Sequence, residues 1–124
     1  MLSAERRLLV AEDDAFIAFD LEDTFTAAGF AVTVVNTLDE ARRRLAQERW
    51  DGVVIDASLG GLSARELGET CGRMGYPLVV YSGRPPTDLL EDFPNARIVS
   101  KPASSDTLTR TVRIVIDEPD GIMG

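Results

Sequence analysis

Short runs of apolar residues alternate along the chain with longer stretches in which apolar residues recur at the spacing of a helix. The runs are rich in valine, leucine and isoleucine and have the length of buried strands. They predict strands at Leu8 to Ala11, Ala31 to Val35, Gly52 to Ile55, Leu78 to Tyr81 and Arg97 to Val99. This alternation predicts an α/β fold, a doubly wound five-stranded parallel sheet with helices on both faces.

The stretches between the strands each carry one apolar face. In the first three, the apolar positions are Ile17, Leu21 and Phe25; Leu38, Ala41 and Leu45; and Leu67, Cys71 and Met74. The fourth helix, roughly Thr87 to Phe93, is short and bracketed by prolines. The fifth stretch favours strand by propensity, yet Leu108, Val112 and Val115 lie on one helical face. We predict a helix there from the alternation of elements.

Two helix starts and one helix end carry recognisable polar or glycine signals. Thr37 with Glu40, and Ser63 with Glu66, match a capping box, in which side chains satisfy the free backbone amides of the first turn. Gly29 suits the left-handed conformation that ends the first helix.

The length and charge of the chain narrow the class of protein. Its 124 residues fit one domain, for which we expect a core at about 7–116 and a short tail at 117–124 without an output domain. A formal net charge of −8 repels a phosphate backbone, so direct nucleic-acid binding is not expected. Since no apolar run approaches the ~20 residues of a membrane span, we expect no membrane association and a cytoplasmic location.

Histidine is absent from the sequence, and cysteine occurs once, as Cys71. An intrachain disulfide, a His-based catalytic triad and a His or multi-thiolate metal site are therefore excluded. Cys71 lies on the apolar stripe of the third helix, which indicates a buried structural thiol.

Polar residues stand where the predicted strands end. Glu12 and Asp13 follow the first strand, Asp56 the third, Ser82 the fourth and Lys101 the fifth. The carboxyl ends of parallel strands share one edge of the sheet, where ligands bind in such folds. Three carboxylates gathered there repel one another unless a hard cation lies among them, and Mg²⁺ prefers carboxylate oxygens. The sequence therefore predicts a magnesium site at this edge.

Taken singly, each of these residues has an ordinary explanation. Acidic residues are common in solvated loops, and that explanation suits Asp14 and the acids of the first helix. Asp56 differs, because it directly follows the apolar run Val53 to Ile55. Of the 13 basic residues only Lys101 is a lysine, and the following Pro102 disfavours helix and allows a cis bond. By itself, a Lys-Pro pair would indicate a solvated turn.

Four motifs in order carry a resemblance to a known family. They are Leu8-Leu9-Val10-Ala11-Glu12-Asp13-Asp14, Val53-Val54-Ile55-Asp56, Val79-Val80-Tyr81-Ser82-Gly83 and Val99-Ser100-Lys101-Pro102. Together they resemble the receiver domain of bacterial two-component response regulators, over roughly Arg7 to Ile116. The resemblance implies the flavodoxin-like strand order 2-1-3-4-5 and a stand-alone, single-domain receiver.

The resemblance also implies the roles of the site residues. Asp56 is the expected phosphoacceptor, and Asp13, Asp56 and the backbone carbonyl of Ser58 are the expected Mg²⁺ ligands, with Glu12 acting largely through water. Ser82 is expected to hydrogen-bond the phosphoryl oxygens and Lys101 to pair with another of them. The expected donor is a histidine kinase or a histidine phosphotransfer protein, and the downstream protein target is unknown. Such a protein catalyses only its own phosphorylation and dephosphorylation.

The sequence departs from the family's usual pattern at two places, and a third residue bears on the partner face. Gly60-Gly61 replaces a Pro-Gly pair, which predicts a more mobile loop. Ile98 stands where an aromatic residue usually turns inward on phosphorylation, so the coupling to a partner is left open. Ile114 is expected near Ile98, on the face formed by the fourth helix, fifth strand and fifth helix, where a homodimer is possible.

Other functions fit the sequence less well. A pseudo-receiver that acts without phosphorylation would be expected to lack the acceptor, a metal carboxylate or the lysine. A phosphatase of the haloacid dehalogenase type needs an Asp-x-Asp motif on the first strand, which Glu12-Asp13-Asp14 does not supply. A flavin-binding domain needs open amides where this first loop is acidic. Transfer of the phosphoryl group onward to a histidine-containing carrier stays open.

Overall fold

The computed structural model describes residues 5–117, and five parallel strands form its central sheet. A two-stranded hairpin interrupts the sequence of sheet strands. In chain order the strands are β1 (Arg7–Ala11), β2 (Ala31–Val35), β3 (Gly52–Ile55), β4 (Ser58–Leu59), β5 (Leu62–Ser63), β6 (Leu78–Ser82) and β7 (Arg97–Ser100). The sheet order is β2-β1-β3-β6-β7. Without the hairpin β4–β5 this is the predicted order 2-1-3-4-5, so the fold class is confirmed.

Five helices accompany the sheet: α1 (Ala15–Ala27), α2 (Leu38–Gln47), α3 (Arg65–Met74), α4 (Pro86–Leu89) and α5 (Ser105–Asp117). One hydrophobic cluster joins α2, α3 and the α4 region to one face of the sheet, and a second joins α1 and α5 to the other face. The inner strands are buried on both faces, which explains their continuous apolar runs. No helix among residues 5–117 combines the length and apolar character needed to cross a bilayer.

The register of the sheet sets the height at which the polar residues emerge. Ala11 pairs with Ile55 across β1 and β3, so the residues that follow these strands leave the sheet side by side. On the other side of the sheet, Ser82 pairs with Ser100, which places the next residue, Lys101, at the same edge. Strand pairing alone therefore brings residues distant in sequence to one rim.

The helix boundaries confirm some predicted signals and contradict others. The Thr37 hydroxyl accepts a hydrogen bond from the Glu40 amide at 3.1 Å, as a cap requires, and Gly29 has a φ of +100°. The predicted capping box at Ser63 is wrong. Ser63 belongs to β5, its hydroxyl accepts from the Arg65 amide, and the Glu66 side chain pairs with Arg42 of α2. The hairpin thus takes Ser63 out of the helix start.

The apolar stripe predicted for α3 is shorter than expected. Leu67 and Cys71 are buried, but Met74 is 46% exposed. Met74 is the last residue of the helix, and Gly75 with a φ of +74° turns the chain away directly after it. Cys71 is buried as predicted, and this burial raises the pKa of its thiol to about 12.

The fourth and fifth helices also differ in how well they match the sequence pattern. Helix α4 ends at Leu89, before the predicted Phe93, and the chain continues in turns, although both Leu89 and Phe93 are buried. Helix α5 forms as predicted, with Leu108 and Val112 buried. The tail was predicted at 117–124, but Asp117 is the last residue of α5, and residues 118–124 lie outside the described residues.

Gly60 and Gly61 form the tight turn of the β4–β5 hairpin. Their φ values are +58° and +80°, and a two-residue hairpin loop of type I′ requires positive φ at both positions. The pair therefore forms the turn of a paired hairpin, and the greater mobility expected from the loss of proline stays a prediction.

Two glycines one turn apart in α3 test the packing of this helix. A methyl group added at Gly68 would lie 2.8 Å from the buried Phe93 ring, whereas at Gly72 it would lie 3.4 Å from the Asn95 side chain. We expect Gly68→Ala to destabilise the protein by about 1–3 kcal/mol through overpacking. Gly72→Ala should be neutral or stabilise it by up to about 1 kcal/mol through helix propensity. Chemical denaturation measures both, and equal effects would contradict this packing.

Candidate functional site

Three carboxylates meet at the carboxyl edge of β1 and β3. One oxygen each from Glu12, Asp13 and Asp56 lies within 4.8 Å of the others. The backbone fixes two of these residues, because the Glu12 amide donates to the Val35 carbonyl at 3.0 Å and the Asp56 amide to the Ala11 carbonyl at 3.1 Å. The sheet ladder thus extends one residue beyond β1 and β3 and carries the acids with it.

The Lys101 side chain reaches this cluster from β7, an edge strand of the sheet. Its ammonium nitrogen lies 2.8 Å from Glu12 Oε1 and 2.8 Å from Asp56 Oδ2. Its backbone amide donates to the Ser82 carbonyl at 2.9 Å, which fixes the base of the side chain beside β6. The bond from Lys101 to Pro102 is cis, as the sequence allowed. The predicted rim residues are therefore brought together.

Burial makes the charges of Glu12 and Lys101 depend on each other. Burial raises the pKa of Glu12, and its hydrogen bonds to Lys101 and the Asp14 amide only partly oppose that rise. Burial also works against the charge of Lys101, but hydrogen bonds to Asp56 and Glu12 outweigh it and raise the pKa of Lys101. The lysine therefore stays protonated. Without it, the buried negative charge of Glu12 would lower the stability of the folded protein.

The two acids that follow Glu12 have separate tasks. Asp13 is exposed and accepts a hydrogen bond from the Gly60 amide at 2.7 Å, which ties the β4–β5 hairpin to the site. Asp14 caps α1, since its Oδ1 accepts from the Phe16 and Ile17 amides at 2.9 and 3.0 Å. The sequence interpretation missed both contacts. An aspartate directly before an apolar-periodic stretch is a capping signal that could have identified Asp14.

The remaining predicted residues lie at the same edge. Ser82 is buried at the end of β6, and its hydroxyl oxygen accepts from the Arg84 amide at 3.2 Å. Its own hydroxyl proton is thus not used in that bond. Ser58 lies half-buried in β4, two residues after Asp56.

The donor set fits a hard divalent cation. It consists of carboxylate oxygens, which suit Mg²⁺ better than softer metals. Lys101 pairs with two of the three carboxylates, so a divalent cation in this cluster would balance the remaining negative charge. Among residues 5–117 this is the acidic cluster whose oxygens converge closely enough to hold one ion.

The outer face of α1 is unusually apolar. Phe16 is 86% exposed and Phe19 is 67% exposed, whereas the inner face buries Leu21 and Phe25. Asp20 and Asp23 are exposed on the same outer face. The sequence interpretation considered only the inner stripe and missed this face.

Ile98 and Ile114 do not form the single patch expected from the sequence. Ile98 packs against the cluster on the α2 and α3 side of the sheet. Ile114 instead lines a groove with Asp23 and Ala27 of α1, because α5 covers the opposite face of the sheet. A shared surface of these two side chains is therefore not supported.

Solved structures of receiver domains resemble this chain over nearly its whole length. A response regulator receiver protein from Sinorhizobium medicae is 26% identical, with a TM-score of 0.86, 94% of this chain covered and 98% of that one. A CheY-like receiver domain from Methanospirillum hungatei is 19% identical, with a TM-score of 0.83 and coverages of 96% and 99%. The receiver domain of a sensor histidine kinase from Pseudomonas aeruginosa, which has a magnesium ion coordinated in its active-site cleft, is 20% identical, with a TM-score of 0.82 and coverages of 93% and 100%.

The likeness in structure is not matched by detectable likeness in sequence families. A scan of protein-family models and a search of curated proteins found no match. The solved structures nevertheless confirm the resemblance to response regulator receiver domains that the four motifs carried.

Magnesium should stabilise the protein against heat. An ion that binds only the folded state contributes about 2.7 kcal/mol at a hundredfold excess over its Kd. Asp13→Asn should abolish most of the increase in melting temperature, because it removes one carboxylate of the cluster. Glu91→Gln, which removes an exposed charge in the turn after α4, is the control and should keep the increase. Equal increases in both variants would contradict a metal site at Asp13.

Proposed function

We propose that this receiver domain accepts a phosphoryl group on Asp56 from a histidine kinase or a histidine phosphotransfer protein and signals by protein–protein contact. The observation that carries the proposal is the Lys101 ammonium held between Glu12 and Asp56 beside Asp13. A carboxylate nucleophile, a fixed cation and further oxygen ligands at one sheet edge are what phosphoryl transfer to an aspartate requires.

In the proposed reaction, Asp56 is the nucleophile. Lys101 holds its Oδ2 at 2.8 Å, and we assign the other oxygen, Oδ1, to the attack on the donor's phosphorus. An O–P bond to Asp56 forms as the P–N bond of the phosphohistidine breaks, and the electron pair of that bond stays on the imidazole nitrogen. In-line transfer needs mainly positioning and neutralisation of charge on the equatorial oxygens.

Two side chains of the chain are assigned to the transferred group. Lys101 moves its ammonium from the carboxylates to a phosphoryl oxygen, since charge-assisted hydrogen bonds to phosphate are strong. Ser82 donates its hydroxyl proton to another oxygen, because its hydroxyl oxygen already accepts from the Arg84 amide. Both residues lie where the neighbouring strands β6 and β7 end, at the edge of the sheet from which Asp56 also emerges.

Magnesium is the cofactor we propose for this site. Asp13, Asp56 and the Ser58 carbonyl would hold it, with Glu12 acting through water, because both Glu12 oxygens already take part in hydrogen bonds. When bound, the ion supplies positive charge to the transferred phosphoryl oxygens. The hydrogen bond from Gly60 to Asp13 keeps that carboxylate oriented toward the cluster in the absence of a phosphoryl group.

The proposed donor is a protein, and the outer face of α1 supports this. Phe16 and Phe19 offer exposed apolar area close to the carboxylates, and Asp20 and Asp23 add negative charge. A donor surface that is apolar at its centre and basic around it would match this face. The histidine of such a donor receives its phosphoryl group from ATP, so we propose that the transfer to Asp56 takes place in the cytoplasm.

A homodimer through α4, β7 and α5 stays a prediction. Strand β7 is an edge of the sheet, and Leu90, directly after α4, is 58% exposed. These features leave backbone and apolar groups for a second chain, but Ile98 and Ile114 do not add a common patch.

Incubation with Mg²⁺ and acetyl phosphate should add one phosphoryl mass to the wild-type protein but not to Asp56→Asn. Asp51→Asn is a matched control, because Asp51 stands just before β3, at the other end of the strand that Asp56 follows, and binds the Arg7 amide. It should be labelled like the wild type. Intact-mass spectrometry reads the result, and labelling of Asp56→Asn would contradict the assignment. An unlabelled wild type would favour the pseudo-receiver.

A further inference from the structure

Tyr81 contacts the lysine segment in two ways. This residue directly precedes Ser82 in β6 and is 6% exposed, within the cluster that α1 and α5 cover. Its hydroxyl accepts a hydrogen bond from the Ala103 amide at 3.0 Å. Its ring centre lies 5.5 Å from the ammonium nitrogen of Lys101, within the range of a cation–π interaction.

Consecutive residues of β6 thus hold both ends of a three-residue segment. The Ser82 carbonyl accepts from the Lys101 amide at 2.9 Å, and the Tyr81 hydroxyl accepts from the Ala103 amide. Lysine has a long side chain with many rotamers, and fixing it costs conformational entropy of about 2 kcal/mol. A backbone held at both ends and a ring beside the ammonium reduce the number of positions that the ammonium can occupy.

Filling of the core does not account for the hydroxyl of this residue. A phenylalanine would fill the same volume without placing a polar group in an apolar cluster. The hydroxyl accepts a hydrogen bond from the Ala103 amide, which lies between β7 and α5 and has no partner in either element. The ring and the lysine also line one cleft of about 410 Å³ between α1 and the segment after β7.

We infer that Tyr81 is a positioning residue that holds Lys101 where its ammonium reaches both carboxylates and, after transfer, the phosphoryl group. The inference rests on the proposed function for its second part. Tyr81 itself touches neither carboxylate nor donor in this role, and it acts through Lys101.

The test compares Tyr81→Phe with Tyr76→Phe. Each variant removes one hydroxyl and keeps the ring. Tyr76 precedes β6, at the end of the strand away from the site, and its hydroxyl donates to the Glu48 carbonyl at 3.3 Å. We expect Tyr81→Phe to lower the rate of labelling by acetyl phosphate about three- to tenfold, the effect of one hydrogen bond. Tyr76→Phe should leave the rate unchanged. Equal rates in wild type and Tyr81→Phe would overturn the inference.

A double-mutant cycle separates positioning from a structural effect. If Tyr81 acts through Lys101, Tyr81→Phe should have little further effect on the labelling rate in a Lys101→Ala background, even though that background is slower. A structural role would lower the rate by the same factor in both backgrounds, which would overturn the inference.

The single lysine allows a readout that needs neither metal nor phosphoryl donor. With ¹³C-labelled lysine, the Cε group of Lys101 gives one set of NMR signals. We expect two distinct Hε signals in the wild type and in Tyr76→Phe, because the side chain is held, and averaged signals in Tyr81→Phe. Unchanged signals in Tyr81→Phe would contradict the positioning role. If acetyl phosphate does not phosphorylate the wild type at all, the proposed function fails. The NMR spectrum of the lysine then decides the role of Tyr81 by itself.

Discussion

The ammonium of Lys101 shared between Glu12 and Asp56 is the interaction on which the site depends. Glu12 is almost fully buried, and a buried carboxylate without a partner costs several kcal/mol, about 3–5 in measured cases. The lysine supplies that partner and at the same time holds one oxygen of Asp56. It also leaves a surplus of negative charge, since three carboxylates lie near one ammonium, and this surplus would favour the divalent ion that we propose.

The sheet places this interaction with little help from the loops. Glu12 and Asp56 follow strands that pair directly, while Lys101 follows β7 at the edge, two strands from Asp56. A four-carbon side chain spans that distance, and β6 holds its backbone. The loops then refine the site: the Gly60 amide orients Asp13, and Asp14 caps the helix that begins beside it. The strands thus set the positions of the carboxylates and the lysine, and the loops orient individual groups of the site.

Much of this arrangement could be predicted from the sequence, because its signals are local. Apolar runs of strand length, followed directly by Asp56 and after one residue by Lys101, predicted both the sheet and the residues at its edge. What could not be predicted depends on contacts between distant residues. Ser63 has the pattern of a helix cap, yet pairing with Ser58 places it in a hairpin. In the sequence, Tyr81 is an ordinary core residue of a strand. Its hydrogen bond from the Ala103 amide forms only in the folded chain. Met74 fits the apolar spacing of Leu67 and Cys71, but it is the last residue of α3 and stays partly exposed.

A crystal structure with Mn²⁺ and beryllofluoride would test the central claim most directly. We expect one anomalous peak between Asp13 and Asp56 next to the Ser58 carbonyl, with beryllofluoride on Asp56 and the Lys101 ammonium moved from Glu12 to a fluorine atom. Ser82 should donate to another fluorine. A peak elsewhere, or Lys101 still bound to Glu12 with beryllofluoride in place, would contradict the role assigned to the lysine.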